Sequence, residues 1–312
     1  MNSLARHPMQ LDPRRVSEES DLTTTIVICT RNRPTHLRKC LEGIAHLERA
    51  PDEVIVVDNT SGDEETEAVA REFSAVYTAE PILGLSRARN RGLAESNSEI
   101  VAYLDDDAVP DGRWLKLLLE PFADPRVAVV TGGTKSPESR AGGCNQEPTR
   151  FLSNKDRLWF EIAAFGGLGI GANMAVRKAA CVGWKVFDER LGRGGPFQGA
   201  EEHHAFVHIL SLSYCAAHVP AAIVFHSCQK PGDIKLEARN QIAYSMLLFA
   251  EYPGQRLNLL RFFFRRALRK PLTWPRDSPD PGKIISCGWP VLLAESFNAA
   301  LLFFRTRNLR DK

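Results

Sequence analysis

The stretch Ile100-Val101-Ala102-Tyr103-Leu104-Asp105-Asp106-Asp107 sets three consecutive carboxylates directly after a short apolar run. Five such residues bounded by a polar cluster read as a buried strand, so the acids stand where that strand ends. Adjacent carboxylates repel and raise one another's pKa, which costs stability unless a cation neutralises them. Hard oxygen ligands suit Mg²⁺ or Mn²⁺, ions usually held by one or two carboxylates with substrate phosphates completing the shell. A solvated acidic turn is the plain alternative, and the surrounding sequence decides between the two.

Working outward, the first half of the chain alternates β-branched runs with helical patterns, which predicts an α/β fold with a mostly parallel sheet flanked by helices. Thr25 to Thr30 reads as a strand; after the turn Arg31-Asn32-Arg33-Pro34, Leu37, Leu41 and Ile44 recur at helical spacing, with Thr35 as the expected cap. Val54 to Val57 reads as a second strand ended by Asp58-Asn59, Glu64 to Phe73 as a polar-faced helix, Val76 to Thr78 as a short strand, and Arg87 to Ser96 as a helix. In open α/β sheets ligands bind outside the carboxyl ends of the strands, and Thr30, Asp58 and Asp105 to Asp107 all fall at such ends. No Gly-x-Gly-x-x-Gly opens a helix, which argues against a dinucleotide site.

The 312 residues, 44% hydrophobic and 25% charged, suffice for a large core and one or two domains. A formal net charge of +2 gives no general attraction to nucleic acid. Residues 1–22, with Pro8, Pro13 and mixed charge, read as a disordered lead-in rather than a secretory signal. The seven cysteines are odd in number and free of any Cys-x-x-Cys pair, which favours reduced thiols and a cytoplasmic setting.

The organisation expected is a substrate-binding half over 23–134, a second half of the same domain over 135–230, and a helical region over 231–312. Lys135 to Arg150 and Gly192 to Gly199 read as loops, and the apolar run Val219 to Phe225 ends at His226. Between Arg256 and Arg276 there are seven basic residues and no acidic one; Arg261, Arg265 and Arg269 recur every fourth position beside Leu257, Leu260, Phe264 and Leu268. Leu293, Phe297, Ala300, Leu301 and Phe304 share one face of a later helix. Neither helix is apolar enough to span a bilayer. Both are expected to pack on the body, the basic one with its charged face in water or against an anionic membrane at the inner face of the cell membrane.

Taken in order, Thr-Arg-Asn-Arg-Pro at 30 to 34, Val-Val-Asp-Asn at 56 to 59, Ala-Arg-Asn-Arg-Gly at 88 to 92, Leu-Asp-Asp-Asp at 104 to 107, Gly-Ala-Asn-Met-Ala at 171 to 175, Phe-Asp-Glu-Arg-Leu-Gly at 187 to 192 and Ala-Glu-Glu at 200 to 202 resemble the inverting glycosyltransferases of family 2, which have the GT-A fold. The resemblance runs from about Thr24 to His226. It implies a nucleotide-diphosphate sugar as donor, expected to be a UDP-sugar, a hydroxyl acceptor, and Mn²⁺ or Mg²⁺ as cofactor. It further implies that Thr30, Arg31, Asp58, Arg89, Asp105 and Asp106 line the nucleotide site, with Asp58 on the base or ribose, and that Asp107, Asp105 and His226 hold the metal. Relatives usually carry Glu-Asp where this chain has Glu201-Glu202, and their Asp is the base. Glu202 therefore aligns with the base, and Glu201 is the alternative.

Three other readings compete. His204 and His208 stand four apart behind two glutamates, as zinc ligands of a hydrolase would, though no third ligand is evident. A sugar-nucleotide-binding or scaffold protein with impaired turnover would also keep these motifs. A pyrophosphorylase-type nucleotidyltransferase lacks support, because its glycine-rich turn near the N-terminus is missing.

Overall fold

A computed structural model describes residues 22–138, 147–183, 185–226, 234–267 and 289–306. In chain order these residues form β1 (Thr24–Thr30), α1 (Pro34–Ala45), β2 (Glu53–Asp58), α2 (Glu64–Glu72), β3 (Val76–Ala79), α3 (Leu85–Glu95) and β4 (Ile100–Asp105). There follow β5 (Ala108–Pro110), α4 (Trp114–Leu119), β6 (Val127–Lys135), β7 (Arg150–Ser153), α5 (Trp159–Ala164), β8 (Asn173–Arg177), α6 (Glu201–Ser211) and β9 (Cys215–His226). The helices α7 (Ile234–Glu251), α8 (Arg256–Ala267) and α9 (Trp289–Thr306) complete the chain. The expected lead-in lies outside the described residues apart from Leu22, as do residues 139–146 of the expected 135–150 loop.

One sheet organises the whole, in the order β3-β2-β1-β4-β8-β6-β9-β5, with β7 also paired to β9. The first four strands are parallel, and β8 runs antiparallel between β4 and β6. Parallel strands must be covered on both faces, which is why β1 and β2 are continuous in Ile and Val and fully buried from Ile26 to Ile28 and from Ile55 to Val57. One face carries α1, α2 and α4 through Leu37, Leu41, Val69, Trp114 and Leu118. The other carries α3, α5, α6 and the C-terminal helices through Ala88, Phe160, Phe206 and Leu247. At Gly92 an added Cβ would stand 2.3 Å from Cγ1 of Val27, so α3 approaches β1 more closely than any side chain would permit. The register Thr30 with Asp58 and Cys29 with Asp105 brings these strand ends to one rim.

Three local expectations are corrected. Thr35 is not a cap: α1 starts at Pro34, whose fixed φ favours the first helical position, and Thr35 falls inside the first turn. The apolar face expected on α9 is turned outward, with Phe297, Leu301 and Phe304 exposed while Ala299 and Phe303 are buried. Leu257, Leu260 and Phe264 of α8 are likewise exposed beside Arg261, because the buried face is Leu259 and Phe262. Leu268, Arg269, Lys270 and Arg276 lie outside the described residues. Cys29, Cys40, Cys181 and Cys215 are free thiols.

A buried polar chain in β6 and β9 yields a pH signature. His218, 3% exposed, has Nδ1 3.0 Å from the Thr131 hydroxyl, and burial, assisted by Arg150, pushes its pKa down to about 4. The unfolded chain takes up a proton near the ordinary value of about 6.5 that the native chain refuses. Stability from this group is therefore complete above pH 6.5 and is lost as pH falls toward 4, by roughly 3 kcal/mol. Urea denaturation between pH 7 and 4 should show this loss, and His218→Gln should flatten that part of the profile.

Candidate active site

The rim of parallel strand ends opens into two adjoining cavities. The first, about 290 Å³, is lined by Thr30, Arg31, Arg33, Asn59, Asp105, Asp106, Asp107 and Arg193 among others. The second, about 440 Å³, runs past Arg89, Gly171, Glu201, Glu202 and His226 to Asn240 of α7. Asp105, Leu85 and Arg193 line both, so the end of β4 is the shared wall.

The three aspartates have separate surroundings. Asp106 is turned inward: the Thr30 hydroxyl donates to it at 2.7 Å, Arg33 donates at 3.3 Å, and burial pushes its pKa up. Asp107 takes a second bond from Arg33 at 3.3 Å, and its Oδ1 stands 2.8 Å from Nε2 of His226. That proximity holds Asp107 below the ordinary carboxyl range and raises His226. Asp105 pairs with Arg89 at 3.3 Å. One ligand atom each from Asp105, Asp107 and His226 lies within 4.8 Å of the others, and the buried Nε2 of His226 makes no aligned hydrogen bond. Two carboxylates and an imidazole within reach of one another fit a divalent cation such as Mn²⁺ or Mg²⁺.

Arg89 joins this acidic end to the second cavity. It is 3% exposed and donates to Glu201 at 2.7 Å, to Asp105 at 3.3 Å and to the carbonyl of Gly171 at 3.1 Å. A Cβ on Gly171 would stand 2.7 Å from both terminal nitrogens of Arg89, so the guanidinium can lie there only because residue 171 has no side chain. The neighbouring motif residues do local work of the same kind. Asn90 donates to the carbonyl of Phe187 at 2.7 Å and accepts from its amide at 3.0 Å, while Ser86 donates to the carbonyl of Leu191 at 2.7 Å. These bonds fix the 187–199 segment against the start of α3.

Glu201 and Glu202 open α6, where the positive end of the helix favours carboxylates. Glu201 is tied to Arg89, and burial together with the Glu202 charge pushes its pKa up. Glu202 accepts from the Gly171 amide at 3.3 Å through Oε1, and its buried Oε2 has no hydrogen-bond partner. Burial would raise it, but the His203 and Arg89 charges outweigh that and keep it below the ordinary value. Glu202 thus brings to the wall of the second cavity a carboxylate with one buried oxygen that has no hydrogen-bond partner.

Asp58 departs from its expected position. It is fully buried behind the first cavity, where Oδ2 accepts from Thr60 at 2.8 Å, the Asp63 amide at 2.9 Å and Tyr77 at 2.8 Å, while Oδ1 has no partner. Asn59 faces the cavity instead and secures the 80–84 turn through the carbonyls of Glu80 and Ile82 and the amide of Gly84. His204 and His208 are not gathered round one ligand position among the described residues. His204 pairs with Glu251 at 2.9 Å, and Arg190 bonds both Asp188 and Glu251, so a guanidinium holds that cluster together. Arg193 and Asn240 were missed in the sequence. Arg193 sits in a stretch whose only signal was its glycines, and Asn240 lies on a helix with no motif.

The profile of the family described as Glycosyl transferase family 2 matches residues 25–182. Glycosyltransferase AglE of Haloferax volcanii is 32% identical over 119 residues, 36% of this chain and 39% of that protein. The match therefore spans about two fifths of the curated relative's length. The crystal structure of S. aureus TarS 1-349 is similar at a TM-score of 0.58 with 16% identity, covering 89% of this chain and 81% of that one. The mannosyltransferase PcManGT from Pyrobaculum calidifontis, solved with GDP-Man and Mn²⁺, is similar at 0.53 with 19% identity, covering 94% and 80%. At such identities the structural likeness establishes the fold, a GT-A type sheet flanked by helices.

Proposed function

The chain belongs to glycosyl transferase family 2, and from that premise we propose that it is a metal-dependent, inverting glycosyltransferase moving a sugar from a nucleotide-diphosphate donor, UDP-linked in our reading, to an acceptor hydroxyl. The observation that carries this reading is the pair of cavities meeting at Asp105, with the candidate cation ligands Asp105, Asp107 and His226 around their junction and Glu202 on the wall of the second. An inverting transfer is a single displacement, so nucleophile and leaving group must approach the anomeric carbon from opposite sides. The two cavities provide those sides: nucleotide and diphosphate in the first, acceptor in the second.

Within this scheme Glu202 takes the proton of the attacking hydroxyl, and Glu201, engaged with Arg89, positions the start of α6. Arg31 and Arg193 face the first cavity and offset diphosphate charge there. Asp58, at the end of β2 with a buried and unpartnered Oδ1, is the carboxylate assigned to the base or ribose in this reading. A divalent cation held by Asp105, Asp107 and His226 would supply positive charge against the leaving phosphate. Donor and acceptor identities rest on the family reading, because the match covers under half of the curated relative.

The C-terminal helices support a peripheral membrane role. On α8, Leu257, Leu260, Arg261 and Phe264 lie at i, i+3, i+4 and i+7, a single outward stripe. That stripe sets apolar side chains beside Arg261, and the sequence from 256 to 276 carries seven basic residues and no acidic one, a composition drawn to anionic lipid. Among the described residues no helix is long and apolar enough to cross a membrane.

Three outcomes are expected. In calorimetric titration, Mn²⁺ should tighten UDP binding and Asp107→Ala should abolish that gain without unfolding the chain; equally tight binding by the wild type in EDTA would rule out the cation role. In a kinetic comparison of folded variants, Glu202→Gln should lower turnover by roughly 10²- to 10⁴-fold with donor affinity retained, and Glu201→Gln by less. A larger effect at Glu201 would move the base by one residue. The protein should sediment with phosphatidylserine vesicles at low salt and be released by salt or by Arg261→Gln combined with Leu260→Gln; a wild type that stays in the supernatant would exclude membrane contact through α8.

A further inference from the structure

The second cavity is closed by a helix outside the residues that match the family: α7 contributes Leu236, Glu237 and Asn240 to a wall that also carries Glu202. This wall is fixed. Glu251, at the far end of α7, bonds His204 of α6 at 2.9 Å and Arg190 at 2.7 Å, so the helix that holds Asn240 and the helix that holds Glu202 are tied to each other. Tyr244, Leu247 and Leu248 anchor the same helix in the core.

Buried polar atoms are nearly always hydrogen-bonded, and each exception needs an explanation. Two of these exceptions belong to residues that share one wall of this cavity. Oδ1 of Asn240 is buried without a hydrogen-bond partner, as is Oε2 of Glu202, and both residues line this cavity. One turn after Asn240, Tyr244 is 3% exposed and its hydroxyl also lacks a partner. Elsewhere on the lining, Ile170 and Leu236 offer apolar surface. Hydrogen-bond acceptors beside apolar side chains match the hydroxyls and the C–H face of a sugar ring.

The charge of the wall narrows the class further. With Asp105 and His226 in the candidate cation set and Arg89 committed to Glu201 and Asp105, the rest of the wall sets Glu202 and Glu237 against Arg193. An acceptor bearing a phosphate or carboxylate would meet a surplus of negative charge in a half-buried space, where like charges repel strongly.

We propose that α7 forms the acceptor subsite and that Asn240 binds a hydroxyl of an uncharged sugar unit, placing a neighbouring hydroxyl at Glu202. This rests on the transferase reading above and specifies the acceptor end of it. The test uses the full chain with UDP and Mn²⁺ and saturation-transfer NMR on methyl glucoside, methyl mannoside and methyl galactoside, against methyl glucuronide and glucose 6-phosphate. At least one neutral glycoside should receive saturation, and the two anionic probes should not. Asn240→Ala should weaken the neutral contact at least tenfold; Asn240→Leu, similar in size and without an acceptor, should do the same where the alanine variant fails to fold. UDP affinity, measured by calorimetry in the same samples, separates the two levels. Loss of UDP binding by the wild type would sink the transferase reading. Retained UDP binding with no neutral glycoside bound, with anionic probes bound as well or better, or with Asn240 variants indistinguishable from wild type would overturn the acceptor proposal alone.

Discussion

The buried guanidinium of Arg89 is the interaction on which the site depends, because it bonds a carboxylate from each half of the cleft: Asp105 at the end of β4 and Glu201 at the start of α6. Burying three charges together is costly unless every group is satisfied, and removing one partner of such a set typically costs several kcal/mol, about 3–5. The surroundings go toward meeting that condition. The Gly171 carbonyl accepts a third guanidinium bond, the Phe187 ring lies 5.6 Å from the guanidinium carbon, and the hydroxyl of Tyr103 donates to the carbonyl of Arg89 at 3.2 Å. The distance between the acids of β4 and the acids of α6 is thereby set by one side chain rather than by loops. Catalytic geometry of this kind needs such a rigid brace.

Much of this was legible in the sequence where local pattern and site coincide. The apolar run before Asp105 could only be a strand, and strand ends in an open α/β sheet define a rim, so Thr30, Asp105 and Asp107 were placed by position alone. Arg89 was expected at the nucleotide site, and the Ala-Arg-Asn-Arg-Gly motif finds partners residue by residue: Ala88 in the core, Arg89 on the acids, Asn90 on Phe187, Arg91 paired with Glu95, Gly92 against Val27. Asp58 shows the limit. It stands at a strand end, yet it accepts from Thr60, Tyr77 and the Asp63 amide and is not among the residues lining the first cavity, and no pattern in the chain announces those partners. The helical faces of α8 and α9 failed for a related reason. Periodicity says which residues share a face but not which face meets the body, and Leu259, Phe262, Ala299 and Phe303 won the buried side. Arg193 and Asn240 were invisible because their importance comes from what lies across the cavity.

The substitution of Glu-Glu for the Glu-Asp pair that the family resemblance leads one to expect finds a physical account in Gly171. One more methylene would carry the Glu202 carboxylate deeper into the cleft than an aspartate. Its Oε1 is instead drawn to the amide of Gly171 at 3.3 Å, leaving Oε2 as the oxygen that remains without a partner. The amide that restrains the longer side chain belongs to the same glycine whose missing Cβ admits Arg89. Position 171 therefore sets both acids of the pair, Glu201 through the guanidinium lying across it and Glu202 through its N–H. A glutamate at 202 restrained by this amide is compatible with the base role proposed above.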